Sequence, residues 1–312
     1  MKIITVQTTI VRVPFTHGDD SSSGRAGNLR LSTMNTLLTR VEAEGGLVGW
    51  GEAFGFNLVD ATKAAIDTVI APLCIGYDVR DLAGLNALLS RRLHNYGRNG
   101  PTSFGIAGVD IALWDIAGKI AGKPLHRLLG DGDRRKVPSY ASLLRYGDAG
   151  TVARNVARAV AQGYRAVKLH EIDPAIVRAG RDAAPPSVPI FLDVNCPWHP
   201  AEAIAFAETM RGCDIGWLEE PVWPPEDIPG LAQVAKASQI PVAAGENIVT
   251  LFEFKAMFAA GAVRYAQPSV TKVGLSGMRA IAEAAAAHGV SLAPHSPYFG
   301  PGLLATVHIA AA

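Results

Sequence analysis

The feature that most narrows what this chain can fold into is a rhythm that begins near residue 135. Short apolar or β-branched runs (VPSYASLL, RAVKLH, IFLDVN, IGWLEE, PVAAGE, VRYAQP and VSLAP) alternate with stretches of helical periodicity such as TVARNVARAVAQG, HPAEAIAFAETMRG and GMRAIAEAAAAHG. Seven strand–helix pairs in succession predict a parallel sheet, because parallel neighbours need a long crossover between them. That many consecutive units favours a closed (β/α) barrel over an open sheet. The final segment, GLLATVHIAAA, reads as the seventh helix, and no eighth strand is visible after it. The expectation is an α/β chain whose TIM-type barrel lacks its last strand and tail.

The first part has a different texture. KIITVQTTIVRV and NTLLTRVEAEGGLVGWGEA alternate like antiparallel strands with a turn at Gly45-Gly46, and the polar stretch THGDDSSSGRAGN between them reads as a long loop. Helices follow, one opened by Asp60, one by Asp81, and a long one over SFGIAGVDIALWDIAGKIAG closed by Gly122 and Pro124. The predicted division is an α+β cap over 1–123 and a barrel over 124–312. At 49% apolar and 18% charged residues a disordered chain is excluded, and a net charge of +1 excludes general attraction to nucleic acid or an anionic membrane. Cys74, Cys196 and Cys213 form no disulfide framework, the N-terminus has no signal-peptide pattern, and no apolar run is long enough to span a membrane. These point to a cytoplasmic protein.

Functional groups of such barrels sit at the C-terminal ends of strands. Those ends read Lys168-Leu169-His170, Asp193-Val194-Asn195, Glu219-Glu220-Pro221, Gly245-Glu246-Asn247, Gln267-Pro268-Ser269 and Pro294-His295-Ser296. Three successive ends supply Asp193, Glu219 and Glu246, spaced 26 and 27 residues apart, one β/α unit each. Bare carboxylates brought side by side repel, so either one takes up a proton or a cation sits among them. An all-carboxylate set suits a hard divalent ion, Mg2+ before Zn2+. Lys168 and His170 are two apart and share a strand face, and His295 lies farther round the ring.

Together SFGIAGVDIALWDIAGKIAGKPLHRLLG, VKLH, LDVN, WLEEP, GEN and APH resemble the mandelate racemase-like branch of the enolase superfamily. The resemblance implies a modified (β/α)7β barrel under an N-terminal α+β capping domain, with Asp193, Glu219 and Glu246 as Mg2+ ligands. It implies that Lys168 and His170 stand where the family has a Lys-x-Lys pair, and His295 where it has the histidine of a His–Asp dyad. It further implies that loops 16–29 and 54–57 close over substrate. Ser269 stands at the dyad aspartate, so His295 is expected to lack its carboxylate partner, and a family acidic residue on the eighth strand has no counterpart.

The chemistry this suggests is removal of the proton α to a carboxylate. Mg2+ and Lys168 would grip the carboxylate, one of His170 and His295 would take the proton, and the other would serve the leaving group or product carbon. Candidate substrate-binding residues are Asn195, His17, Arg25, Phe54, Tyr96 and Ser269. A cap rich in hydrogen-bonding groups (His17, Asp19, Asp20, Ser21, Ser22, Ser23, Arg25, Asn28, Tyr96, Arg98 and Asn99) suits a polyhydroxylated acid, and Arg25 suits a second carboxylate. Dehydration or cycloisomerisation of a sugar acid is the leading reading. Racemisation or epimerisation, a non-catalytic binding relative of the same fold, and an aldolase using Lys168 as a Schiff base stay open. The expected partner is a small carboxylate in a homo-oligomer.

Overall fold

The computed structural model describes residues 1–17, 25–26, 29–30, 32–130, 132, 134 and 136–312, with backbone only at 25–26 and 29–30. Period-two alternation builds the cap sheet. Strands β1 (Ile3–Pro14), β4 (Thr33–Ala43) and β5 (Leu47–Ala53) pair antiparallel in the order β1-β4-β5. A small ribbon of β2 (Arg25–Ala26) and β3 (Leu29–Arg30) stands apart. On β4 Met34, Thr36, Leu37, Thr39, Val41 and Ala43 are buried, while Arg40 and Glu42 face outward and pair at 2.8 Å.

The cap helices are α1 (Val59–Ala65), a π turn over Ile66–Ile70, α2 (Ala71–Cys74), α3 (Leu82–Arg92), α4 (Pro101–Ala121) and α5 (His126–Leu129). Asp81 caps α3 by accepting from the Gly84 amide at 2.9 Å. Asp60 does not open its helix: the chain enters α1 through a 3-10 turn, Leu58 takes the cap position, and the π turn interrupts the run that reads as one helix. The alternate glycines of VGWGE have a steric cause. A Cβ on Gly49 would lie 2.1 Å from the Ala112 carbonyl, and one on Gly51 2.0 Å from that of Gly108, so α4 lies directly on β5.

The second part runs β6 (Ala141–Ser142), α6 (Ala149–Ala161), β7 (Val167–Leu169), α7 (Pro174–Asp182), β8 (Ile190–Asp193), α8 (Pro200–Thr209) and β9 (Ile215–Glu219). It continues with α9 (Ile228–Ala237), β10 (Val242–Ala244), α10 (Leu251–Ala259), β11 (Tyr265–Ala266), α11 (Val270–Ala287), β12 (Ser291–Leu292) and α12 (Pro301–Ala311). The seven parallel strands pair in sequence order from β6 to β12. Among the described residues β6 and β12 do not pair with each other, so the sheet is an open arc, as expected of a barrel without its eighth strand.

Val167, Leu169, Ile190 and Leu192 point outward into the helices, which leaves Lys168, Phe191 and Asp193 facing inward. Inside the arc Tyr140, Phe191, Trp217 and Tyr265 form an aromatic floor, with Phe191 stacked on Trp217 at 3.5 Å. Cap and barrel are joined by buried polar contacts. Helix α11 breaks at Gly274 (φ 74°), and Asp110 of α4 caps its second segment, accepting from the Ser276 amide at 2.9 Å and hydroxyl at 2.6 Å. Glu52 of β5 accepts from the Gly302 amide in the first turn of α12 at 2.8 Å. Burial raises Glu52 to about 7, although that hydrogen bond works the other way.

Candidate active site

The period-two alternation of the staves brings the strand-end groups together. One carboxylate oxygen from each of Asp193, Glu219 and Glu246 lies within 4.8 Å of the others. Asp193 and Glu219 end β8 and β9, and Glu246 stands two residues past β10. Lys168 Nζ donates to Asp193 Oδ2 at 3.0 Å and Glu219 Oε1 at 2.6 Å, above the Tyr140 ring at 5.7 Å. Glu219 also accepts from Trp217 Nε1 at 2.9 Å and Gln267 Nε2 at 2.7 Å, and Asp193 from the amide and side chain of Asn195 at 3.1 and 2.9 Å. The Asn195 side chain, expected to face substrate, thus spends its amide on a carboxylate.

Two histidines flank this cluster. His170 Nε2 lies 3.1 Å from Asp193 Oδ2, and its Nδ1 meets the Leu143 carbonyl. His295 Nε2 lies 2.8 Å from Glu246 Oε2, and its Nδ1 lies 2.9 Å from Ser269 Oγ. His295 therefore does not lack a carboxylate neighbour: loss of the dyad aspartate leaves Ser269 at Nδ1, but Glu246 reaches the other ring nitrogen. The sequence reading missed this because it compared one family position and not the opposite edge of the imidazole.

The charges are unbalanced. Burial works against the charge of Lys168, yet Glu219 and Asp193 hold its ammonium well above its ordinary value. Burial likewise opposes the Asp193 carboxylate, but Lys168 and then His170 outweigh it and hold that group low. Burial, with His295 outweighing it, leaves Glu246 at about 2. Glu219 is pushed up to about 8, by burial first and then by the Asp193 charge. Lys168 lies between two of the carboxylates and Lys272 beside the third, two ammonium groups for three acids, and a hard divalent cation would hold Glu219 ionised. The acceptors Asn195 Oδ1 and Gln267 Oε1 are buried without a donor among the described residues. An all-oxygen donor set, surplus negative charge and unused acceptors fit Mg2+.

The other expected residues scatter. Phe54 packs on Phe56 and Phe104 at 4.7 and 4.9 Å and lies 4.5 Å below Lys272 Nζ. His17 is tied to the barrel by its carbonyl, which accepts from Tyr146 OH at 2.8 Å. Tyr96 is 63% exposed after α3, and Asn99 donates to the Asn247 carbonyl at 3.0 Å. Asp19, Asp20, Ser21, Ser22, Ser23, Asn28 and the Arg25 side chain lie outside the described residues. Sequence reasoning gave no role to Arg145, which donates to the carbonyls of His170 (2.5 Å) and Val194 (3.1 Å), to Lys272, which donates to the Glu246 carbonyl at 2.6 Å, or to Tyr298 beside Ser269. Only Gln267 carried a usable signal, sharing strand parity with Tyr265 and Ser269. Crevices of about 340 and 290 Å³ lie elsewhere and contain none of the three carboxylates or two histidines.

Fold and site together define a capped (β/α) barrel with acidic groups converging at its strand ends. Residues 28–130 match the mandelate racemase / muconate lactonizing enzyme N-terminal domain, and residues 151–312 the enolase C-terminal domain-like family. The chain belongs to the enolase superfamily, in its mandelate racemase / muconate lactonizing enzyme branch. It is 32% identical over 305 residues to D-galactarolactone cycloisomerase of Agrobacterium fabrum, covering 95% of this chain and 78% of that one. It is 30% identical over 289 residues to arabinonate dehydratase of Saccharolobus solfataricus, covering 89% and 77%. The structure of a mandelate racemase/muconate lactonizing protein from Paracoccus denitrificans complexed with magnesium superposes with a TM-score of 0.85 at 31% identity, covering 99% of this chain and 83% of that one. No helix among the described residues is long and apolar enough to cross a membrane.

Proposed function

We propose that this chain removes the proton α to the carboxylate of a polyhydroxylated sugar acid, leading to dehydration or cycloisomerisation, with Mg2+ held by Asp193, Glu219 and Glu246. The observation behind this reading is the convergence of those oxygens within 4.8 Å, with Lys168 among them and a histidine on either side. The relatives support the substrate class: one is a sugar-lactone cycloisomerase and another a sugar-acid dehydratase.

An α-proton next to a carboxylate is very weakly acidic, because its loss builds a second negative charge on the same group. The divalent ion, when bound, supplies Lewis-acid stabilisation of that charge. Lys168 stays an ammonium and meets the developing charge from beneath, shielded from water by the aromatic floor. One histidine takes the proton at Nε2, and the other presents N–H to the leaving oxygen or the product carbon. A screen of acid sugars in heavy water with Mg2+ tests the reading. Loss of water with a shared set of substrates marks a dehydratase, an isomer of unchanged composition a cycloisomerase, and deuterium uptake alone a racemase or epimerase. No turnover and no exchange across the library would leave a binding relative of the fold.

A further inference from the structure

The three carboxylates of the cluster are not held in the same way. Asp193 pairs with Glu219 across the ladder of β8 and β9, and Glu219 pairs with Ala243 of β10. Glu246 has no such partner among the described residues, because the chain leaves β10 through Gly245 at φ 135° before reaching it. The turn that carries Glu246 is held from outside. Glu220 Oε1 accepts from the Gly245 amide at 2.9 Å, Lys272 Nζ donates to the Glu246 carbonyl at 2.6 Å, and Asn99 Nδ2 donates to the Asn247 carbonyl at 3.0 Å. The Asn99 contact is exposed, where water competes with it. The Lys272 contact has a charged donor on a side chain that is 9% exposed, so it is the stronger of the two.

Lys272 stands in the first turn of α11 and reaches Glu246 across the ring of Phe54, whose centroid lies 4.5 Å from Nζ. That is well inside the roughly 6 Å over which the negative face of an aromatic ring attracts an ammonium. Phe54 belongs to the cap, one residue past β5. Phe56 and Phe104 brace its ring at 4.7 and 4.9 Å, and its amide donates to the Thr271 carbonyl at 3.1 Å. Backbone and ring of one cap residue thus grip two successive residues of α11. A lysine side chain has several rotatable bonds, and holding it in one geometry costs rotamer freedom. The braced ring supplies a fixed surface that keeps this one aimed at the Glu246 carbonyl.

We propose that Phe54 is a positioning residue for Glu246: its ring seats the Lys272 ammonium, which holds the Glu246 backbone where the carboxylate meets those of Asp193 and Glu219. The cap thereby helps to build a cation site whose three carboxylates all come from the barrel. The inference rests on the Mg2+ reading of those carboxylates for its ligand and on no particular substrate.

Phe54→Leu keeps an apolar side chain and removes the ring face, whereas Phe54→Tyr keeps the face. In calorimetric titration of the metal-free full chain with Mg2+, Phe54→Leu should weaken binding by roughly 2- to 30-fold, the range of a cation–π contact, and Phe54→Tyr should bind as wild type does. Hydrogen exchange of the metal-free protein tests the seat without the ion. The amides of Gly245 and Ile248 bracket Glu246 and donate to Glu220 Oε1 and the Gly245 carbonyl. Both should exchange faster in Phe54→Leu, while the amides of β8 keep their rates. Lys272→Met should speed the same two amides, and adding Phe54→Leu to it should bring no further change, because the two residues act as one unit. Wild-type Mg2+ affinity or wild-type exchange of the turn in Phe54→Leu, equal loss in Phe54→Tyr, or additive effects in the double variant would overturn the proposal. A wild type that binds no Mg2+ would sink the cation reading, and the metal-free exchange would then decide the role of Phe54 on its own.

Discussion

The two walls of the acidic cluster are built differently. On the β7–β8 side the functional groups sit within or one residue past regular strands: Lys168 inside β7, Asp193 closing β8, and His170 just beyond. Their partners are a backbone carbonyl, a guanidinium clamp and each other. On the β10–β12 side Glu246, Ser269 and His295 stand two or three residues past the strand ends and project from the turns that follow. Their partners are side chains remote in sequence, Tyr298 and Lys272 among them. The first wall is set by strand geometry and the second by turns held through tertiary hydrogen bonds.

The largest effect should come from the residue shared between the walls. Glu219→Gln is expected to reduce turnover of an acid sugar to background and to remove stabilisation by Mg2+, read as a thermal shift; for wild type at about 100 times the dissociation constant that stabilisation amounts to about 2.7 kcal/mol. Retained turnover would break the comparison, because neither wall would then depend on the ion. Lys168→Met removes a buried cation from between two carboxylates and should cost roughly 3–5 kcal/mol in chemical unfolding without Mg2+. Added Mg2+ should recover part of that loss.

The walls can also be separated directly. Loss of the base should lower turnover by about 10²- to 10⁴-fold and abolish exchange of the α-proton in heavy water, and comparing His170→Asn with His295→Asn shows which histidine that is. Loss of the other histidine should lower turnover comparably but leave exchange measurable. Equal loss of exchange in both variants would contradict a division of base and donor between the two walls.

How far the site could be read from sequence follows the same division. The alternation of RAVKLH and IFLDVN fixes which side chains turn inward, so Lys168, His170 and Asp193 were legible from a period of two. The spacing of Glu219 and Glu246 by one β/α unit did the same for the rest of the cluster. Tyr298 and the Glu246–His295 contact were not legible, because a loop gives no periodicity and the contact joins segments far apart in the chain. In the cap, the sheet followed from alternation, whereas the π turn after α1 did not, since Ile66 and Ile70 suit any buried helical turn equally. Asp110 stands within the apolar run of α4, and its role as the cap of a broken α11 needed the fold.

Smaller effects sharpen the seam that joins cap to barrel. Glu52 is raised from 4.5 to about 7 by burial, so the folded state holds its proton more tightly than the unfolded chain does. Its contribution is fully present below pH 4.5 and is lost as pH rises to about 7, at up to about 1.4 kcal/mol per pH unit. Glu52→Gln keeps an acceptor for the Gly302 amide and should flatten this slope in unfolding measured from pH 5 to 8. An unchanged slope would show that the carboxyl titrates normally. Tyr96→Ala, at an exposed position, should change stability by less than about 0.5 kcal/mol. A rise in KM without a change in kcat would mark Tyr96 as part of the substrate surface.

The most direct test is calorimetric titration of the metal-free protein with Mg2+, in parallel on wild type and on Glu219→Gln. Saturable binding of a single ion by wild type, lost in the variant, is the predicted result. No binding by wild type, or binding that Glu219→Gln leaves intact, would contradict the assignment of Asp193, Glu219 and Glu246 as a cation site.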